Sequence, residues 1–197
     1  MSIEGTGAQD PKAGRRYLRK AKKLQDEGKR TEALAVLRLG LEVSPNDAEL
    51  QYTLGHALRF GLGCHEDCIE AAEWWRKAAA QGHIESQNQI GTLCIAGYGI
   101  PFDPAEALYW FKQAASTGDG WAYGAIASMY FKGEGVKKDY AESLFWWSVG
   151  SLFQGDPGDV KHFLHMAGCA AKFLAPDEIA VVADRVSRWI VEHPSKR

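Results

Sequence analysis

The stretch "LGHALRFGLGCHEDCIEAAEWWRKAAAQGH", residues 54–83, decides the fold, because the chain repeats it. Moved on by 36 positions it lies over "IGTLCIAGYGIPFDPAEALYWFKQAASTGD", residues 90–119. Gly55, Gly61 and Gly63 meet Gly91, Gly97 and Gly99. Asp67 and Glu70 meet Asp103 and Glu106, Trp74-Trp75 meets Trp110-Phe111, and Gly82 meets Gly118. A second shift of the same size reaches "IASMYFKGEGVKKDYAESLFWWSVGSLFQG", residues 126–155. There Gly133, Gly135, Asp139, Glu142 and Trp146-Trp147 stay in register, while Gly150-Ser151 replaces the Ala pair. Self-similarity at a fixed period of this length is the mark of stacked repeats.

Each repeat reads as two helices. The first carries small and apolar residues at helical spacing, such as Leu54, Gly55 and Leu58, and Gly55, Gly91 and Ala127 suit a close helix crossing. The Gly-x-Gly step ends that helix and turns the chain. Asp67, Asp103 and Asp139 fit the start of a second helix, where a carboxylate caps free N–H groups; Pro104 suits the first turn. That helix then presents Ala71, Trp74, Trp75 and Ala78 to its neighbours, and Gly82, Gly118 and Gly155 close it. A helical hairpin of this kind has an apolar flank that it cannot bury alone, so hairpins stack. The expected fold class is all-α, an α/α superhelical solenoid of stacked helical hairpins.

The flanks extend the pattern. "YLRKAKKLQDEGKRTEALAVLRLGLEVSPND", residues 17–47, has Tyr17, Ala21 and Leu24 on one stripe, then Gly28, Ala33, Leu37, Gly40 and Pro45. It resembles a tetratricopeptide repeat. After Gly155 the period is lost, and two segments with apolar stripes follow, the second with Ile179, Val182, Val186 and Ile190 on one side and Pro176 in its first turn. Terminal units of a solenoid are atypical because one face meets water. The expected organisation is a flexible segment 1–13, a tetratricopeptide-like repeat 14–47, three repeats at 48–83, 84–119 and 120–155, and a capping helix pair 156–197.

The Gly-x-Gly, Asp and Trp-Trp/Phe-Lys-x-Ala-Ala-x-x-Gly pattern resembles the Sel-one-like repeat family, a relative of the tetratricopeptide repeats. "GVKKDYAESLFWW" and "AAEWWRKAAAQG" carry the fullest match. The resemblance implies a non-catalytic binding or assembly scaffold, an adaptor with a protein or peptide partner. Some secreted, cysteine-rich members carry a disulfide in each repeat and are associated with β-lactam binding. A hydrolase of that type is the alternative implied here, although the third and fourth units lack the regular cysteine pair.

Composition bounds the rest. The 197 residues are 46% hydrophobic and 24% charged, with a net charge of −2, which gives no global pull toward nucleic acid. The charge is uneven: residues 12–38 hold ten Lys/Arg against three Asp/Glu, whereas residues 39–197 hold thirteen against twenty. No apolar run is long enough to span a bilayer, and the N-terminal stretch lacks a signal-peptide core. The expected setting is the cytoplasm, with four reduced cysteines, and neither nucleic acid nor membrane insertion is expected.

"GCHEDC", residues 63–68, looks like chemistry. Zinc takes Cys and His, and a Cys pair can be a redox pair. The register gives a duller account. Cys64 aligns with Ile100 and Val136, Asp67 is the recurring helix-start acid, and Cys68 aligns with Pro104 and Tyr140. Cys94 holds a core position. His162 and His165 are three apart on a helix, a spacing that could share a metal, but they read as ordinary helix histidines. No catalytic residue, metal site or cofactor is expected, and no phosphate loop or nucleophile elbow is present in the sequence.

Tetratricopeptide-like solenoids line a concave groove with the non-core side of each first helix. The register places Arg15, Arg19 and Lys22 there in the first unit, then Glu49, Tyr52, His56 and Arg59, then Glu85, Asn88, Thr92 and Ile95, then Trp121, Gly124, Ser128, Phe131 and Lys132. The basic end predicts a partner with an acidic stretch.

Overall fold

The structure is a computed structural model that describes residues 11–153 and 157–193. Ten helices and no strands occur among the described residues: α1 (Pro11–Asp26), α2 (Arg30–Val43), α3 (Ala48–Arg59), α4 (Cys68–Ala80), α5 (Ile84–Ala96), α6 (Pro104–Ala115), α7 (Gly120–Lys132), α8 (Tyr140–Ser151), α9 (Pro157–Ala171) and α10 (Pro176–Glu192). They fall into two compact units, residues 1–86 and 87–197. None of the helices is long and apolar enough to cross a membrane. Of the segment 1–13, residues 1–10 lie outside the described residues and the remainder opens α1; Gly155 also lies outside them.

The recurring aspartates start helices as predicted. Asp67, Asp103 and Asp139 accept from the backbone N–H groups of Glu70, Glu106 and Glu142 at 2.8–2.9 Å. Asp47 and Asp119 do the same for α3 and α7. Each such cap is worth about 1 kcal/mol. The Gly-x-Gly pairs all have positive φ, and Gly63, at +96°, shows why. A Cβ there would sit 2.4 Å from the Arg30 carbonyl oxygen.

In the first unit α1 packs on α2, α2 on α3 and α3 on α4. Gly40 lets α2 approach α1: a Cβ there would lie 2.9 Å from Cβ of Tyr17. Leu37, Leu50, Leu54, Leu58, Ala71 and Trp75 form the buried centre. In the second unit α6 packs on α7, and α8 takes α7, α9 and α10. Ile90, Phe111, Ile126, Met129, Phe145 and Trp147 are its core, with Phe163 and Val182 reaching in from the last two helices.

The aromatic pairs depart from expectation. Only the second member is buried: Trp75 is 0% exposed, Phe111 1% and Trp147 5%, whereas Trp74, Trp110 and Trp146 are half-buried. Successive residues on a helix point about 100° apart, so one can face the core while the other rides the flank. Trp75 fills the space above Gly55, where a Cβ would come within 2.7 Å of the indole nitrogen. Phe111 does the same over Gly91 at 2.5 Å. Trp74 and Trp110 instead turn back along their own helix, and each indole N–H donates to the glutamate four residues earlier, Glu70 or Glu106, at 3.1 Å.

Candidate interaction surface

In the first unit, Arg15, Arg19 and Lys22 are exposed on α1 and have no ion-pair partner among the described residues. Arg59 is different. Its guanidinium donates to Glu66 at 2.8 Å and lies 5.3 Å from the Phe60 ring centroid. Arg59 is thus engaged by Glu66 and Phe60, unlike the exposed cations of α1.

Tyr52 and His56 come together along α3, one turn apart. Phe60 extends the row, 4.7 Å from His56 between ring centroids, and His83 closes its other end, stacked on Tyr52 at 4.8 Å. Burial pushes the Tyr52 hydroxyl pKa up and that of the His56 imidazole down, so both groups favour the neutral form. Sequence reasoning missed Phe60 and His83. The i, i+4 spacing from His56 pointed to Phe60; His83 reaches Tyr52 from the turn after α4, which no periodicity reveals.

His83 also joins a hydroxyl to a carboxylate. Its Nδ1 lies 3.1 Å from the Ser86 hydroxyl, and its Nε2 lies 3.2 Å from Glu49. Serine, imidazole and carboxylate in line suggest a nucleophile, but Ser86 is 0% exposed. The Ser86 backbone N–H donates to the same Nδ1 at 3.3 Å, which leaves the ring proton on Nε2 to be donated to Glu49. The imidazole thus caps the start of α5.

In the second unit, Thr92, Ile95, Trp121, Ser128 and Lys132 line one cavity of about 230 Å³, walled further by Phe111, Ala125 and Met129. Lys132 faces Glu134 at 3.8 Å. Asn88 lies elsewhere: its amide donates to Asp119 at 2.9 Å and steadies the cap of α7. Phe131 also turns away, into a cluster with Tyr140 and Phe173 whose rings lie 5.5 and 6.2 Å from it. A larger cavity, about 430 Å³, lies between α7, α8 and α9 and shares Trp121 and Ala125 with the first.

The cysteines are free thiols in four separate settings. Burial raises the pKa of both Cys64 and Cys68, and for Cys68 the hydrogen bond to Glu66 at 3.1 Å adds to it. A raised pKa lowers the thiolate fraction, the form that binds metals and attacks electrophiles. Cys94 is fully buried. His162 and His165 have different neighbours: His162 meets Trp147 edge-on, and His165 lies 3.8 Å from the Cys169 sulfur.

At Glu70 and Glu142 the recurring glutamate also takes an arginine from another helix, a link that the sequence did not disclose. Glu70 accepts two bonds from the Arg38 guanidinium at 2.8 Å, and these hold its carboxyl pKa below the ordinary carboxylate value. Glu142 takes Arg185 of α10 in the same two-pronged way.

Comparison with known proteins agrees with this architecture. The model of the Sel1 repeat family matches residues 3–26, 48–83, 84–119 and 121–149. The chain is similar to the crystal structure of a Sel1 repeat protein from Oxalobacter formigenes, with a TM-score of 0.69 and 30% identity over 95% of this chain and 76% of that one. It is also similar to c5321, a protective antigen present in uropathogenic Escherichia coli strains displaying an SLR fold, with a TM-score of 0.74 and 27% identity. That match takes in 97% of this chain but 44% of the antigen, so the chain spans less than half of its length. No curated protein matches. The helices and these neighbours make the fold an all-α repeat solenoid.

Proposed function

Because the chain belongs to the Sel1 repeat family, whose members are generally protein-interaction scaffolds, we propose that it is a non-catalytic adaptor for a protein or peptide partner. The partner contacts the outward side chains of the first helices: the cations of α1 and the aromatic row of α3 in one unit, the α5–α7 cavity in the other. The observation that carries this reading is the convergence of Thr92, Ile95, Trp121, Ser128 and Lys132 on one cavity. An apolar floor with a few polar groups at its edge is what a partner side chain needs for anchoring.

Arg15, Arg19 and Lys22, exposed and without an ion-pair partner among the described residues, support a partner with an acidic stretch. Arginine holds a carboxylate with two parallel hydrogen bonds, but an exposed pair contributes only about 0.2–1 kcal/mol. Several such pairs and an apolar anchor must therefore act together. The four free thiols suit a reducing cytosol, which belongs to the same proposal.

The test is affinity capture of a partner by the full chain, its identification by mass spectrometry, and calorimetry on two variants. Arg19→Glu with Lys22→Glu reverses the basic face, and Ser128→Arg fills the cavity. Each should weaken binding at least about tenfold, which is about 1.4 kcal/mol, with melting unchanged. Equal affinity in both variants would move the interface off these surfaces.

A further inference from the structure

We propose that the 430 Å³ cavity between α7, α8 and α9 receives the guanidinium of an arginine side chain presented by a partner polypeptide. Three aromatic rings form the corner of a box there. Trp147 stands at 82° to Phe163 and at 87° to His162, and His162 stands at 80° to Phe163, so the three planes are nearly perpendicular to one another. Trp121 supplies a further wall and is 52% exposed, which leaves its ring available to a ligand. The floor is Gly124. A Cβ at that position would lie 3.1 Å from the Phe163 ring and 3.2 Å from Trp147, so glycine lets both rings pack down onto α7.

The charge in the lining is acidic. Asp159 lies three and four residues before His162 and Phe163 on α9, which puts the three side chains on one side of that helix. Aromatic faces attract cations through the ring quadrupole. A carboxylate beside them opposes an acidic ligand and pairs with a basic one. Arginine fits better than lysine, because its planar guanidinium stacks on a ring while its edge donates twice to a carboxylate, and it is less strongly hydrated than an ammonium. The cavity volume lies within the range of about 300–1,000 Å³ typical of small-ligand sites.

The inference rests on the scaffold reading for the source of the arginine, but its test needs no partner. The tryptophan indole N–H resonances of the ¹⁵N-labelled full chain are followed while N-acetyl-Gly-Arg-Gly-amide is added. The Trp121 and Trp147 signals should shift saturably, with a dissociation constant in the millimolar range. The same peptide with citrulline, which has the shape of arginine but no charge, should bind at least about threefold more weakly. Trp121→Ala and Asp159→Asn should each weaken the arginine peptide about threefold or more, with helicity and melting retained. Absence of a saturable shift, or equal binding of arginine and citrulline, overturns the proposal. So does an unchanged affinity in Asp159→Asn. Binding by free guanidinium ion as tight as by the peptide would assign the cavity to a small cation and overturn the polypeptide source. A failure here leaves the scaffold reading to its own capture experiment, and a failed capture leaves the cavity's selectivity to this one.

Discussion

Trp110 and Phe111 are neighbours in sequence and opposites in the structure. Phe111 is sealed between α6 and Gly91 of α5, so Phe111→Ala leaves a cavity and should cost about 3–5 kcal/mol in chemical denaturation. Trp110 loses only a flank contact and one hydrogen bond to Glu106, and Trp110→Ala should cost about 1–2 kcal/mol. Equal losses would contradict the division of labour within the pair. The pairs and their period were legible in the sequence, because glycine and tryptophan recur every 36 residues. Which member is buried was not. Both are large and apolar, and the choice depends on whether the small residue across the crossing faces one or the other. Titration is also a residue-scale matter. His56 is held below its ordinary value of 6.5 by burial, so its protonation favours the unfolded chain. That stability is present above pH 6.5 and is lost as pH falls below it. Glu70 is held below 4.5, chiefly by hydrogen bonds from Arg38. Its contribution is present above pH 4.5 and is lost as pH falls through its folded value. Melting temperature should therefore fall on the acid side in two stages, and His56→Asn should flatten the first.

Between elements, charged clamps supplement the stacked apolar flanks. Arg38 and Glu70 tie α2 to the start of α4 in the first unit. In the second, Arg185 ties α10 to Glu142 of α8 and lies 3.9 Å over the Phe145 ring. Among the apolar residues of α10, Val182 is buried and Ile179, Val186, Trp189 and Ile190 are half-buried, but Val181 and Val191 are exposed. Removing the clamp by Arg185→Ala should raise hydrogen exchange across residues 176–192 and leave α7 and α8 protected. Protection of α10 equal to the wild type would show that the apolar stripe alone holds it. Helix starts were readable from Asp67, Asp103 and Asp139, since a cap acts within three residues. The clamps were not, because Arg38 and Glu70 are 32 residues apart and Arg185 and Glu142 are 43 apart, and no local pattern joins them. The proposed interaction surface divides in the same way. Of the residues that the helical register placed in a groove, Thr92, Ile95, Trp121, Ser128 and Lys132 line the α5–α7 cavity. Phe131 and Asn88 lie outside that lining, Phe131 beside Tyr140 and Phe173 and Asn88 on the cap of α7.

For the whole molecule, the repeats leave two kinds of side chain, those that pack one hairpin on the next and those that packing does not use. Arg15, Arg19 and Lys22, part of the basic surplus of residues 12–38, belong to the second kind, and they lie in a chain whose remainder is acidic. Such separation steers an oppositely charged partner and makes its association salt-sensitive. Changing only unused residues should alter binding and nothing else. The most direct measurement is calorimetry of the captured partner against the wild type and against Arg19→Glu/Lys22→Glu, at low and high salt, with melting followed in parallel. The account expects at least about a tenfold loss in the variant at low salt, a smaller gap at high salt, and equal melting temperatures. Unchanged affinity in a variant that melts like the wild type would contradict it.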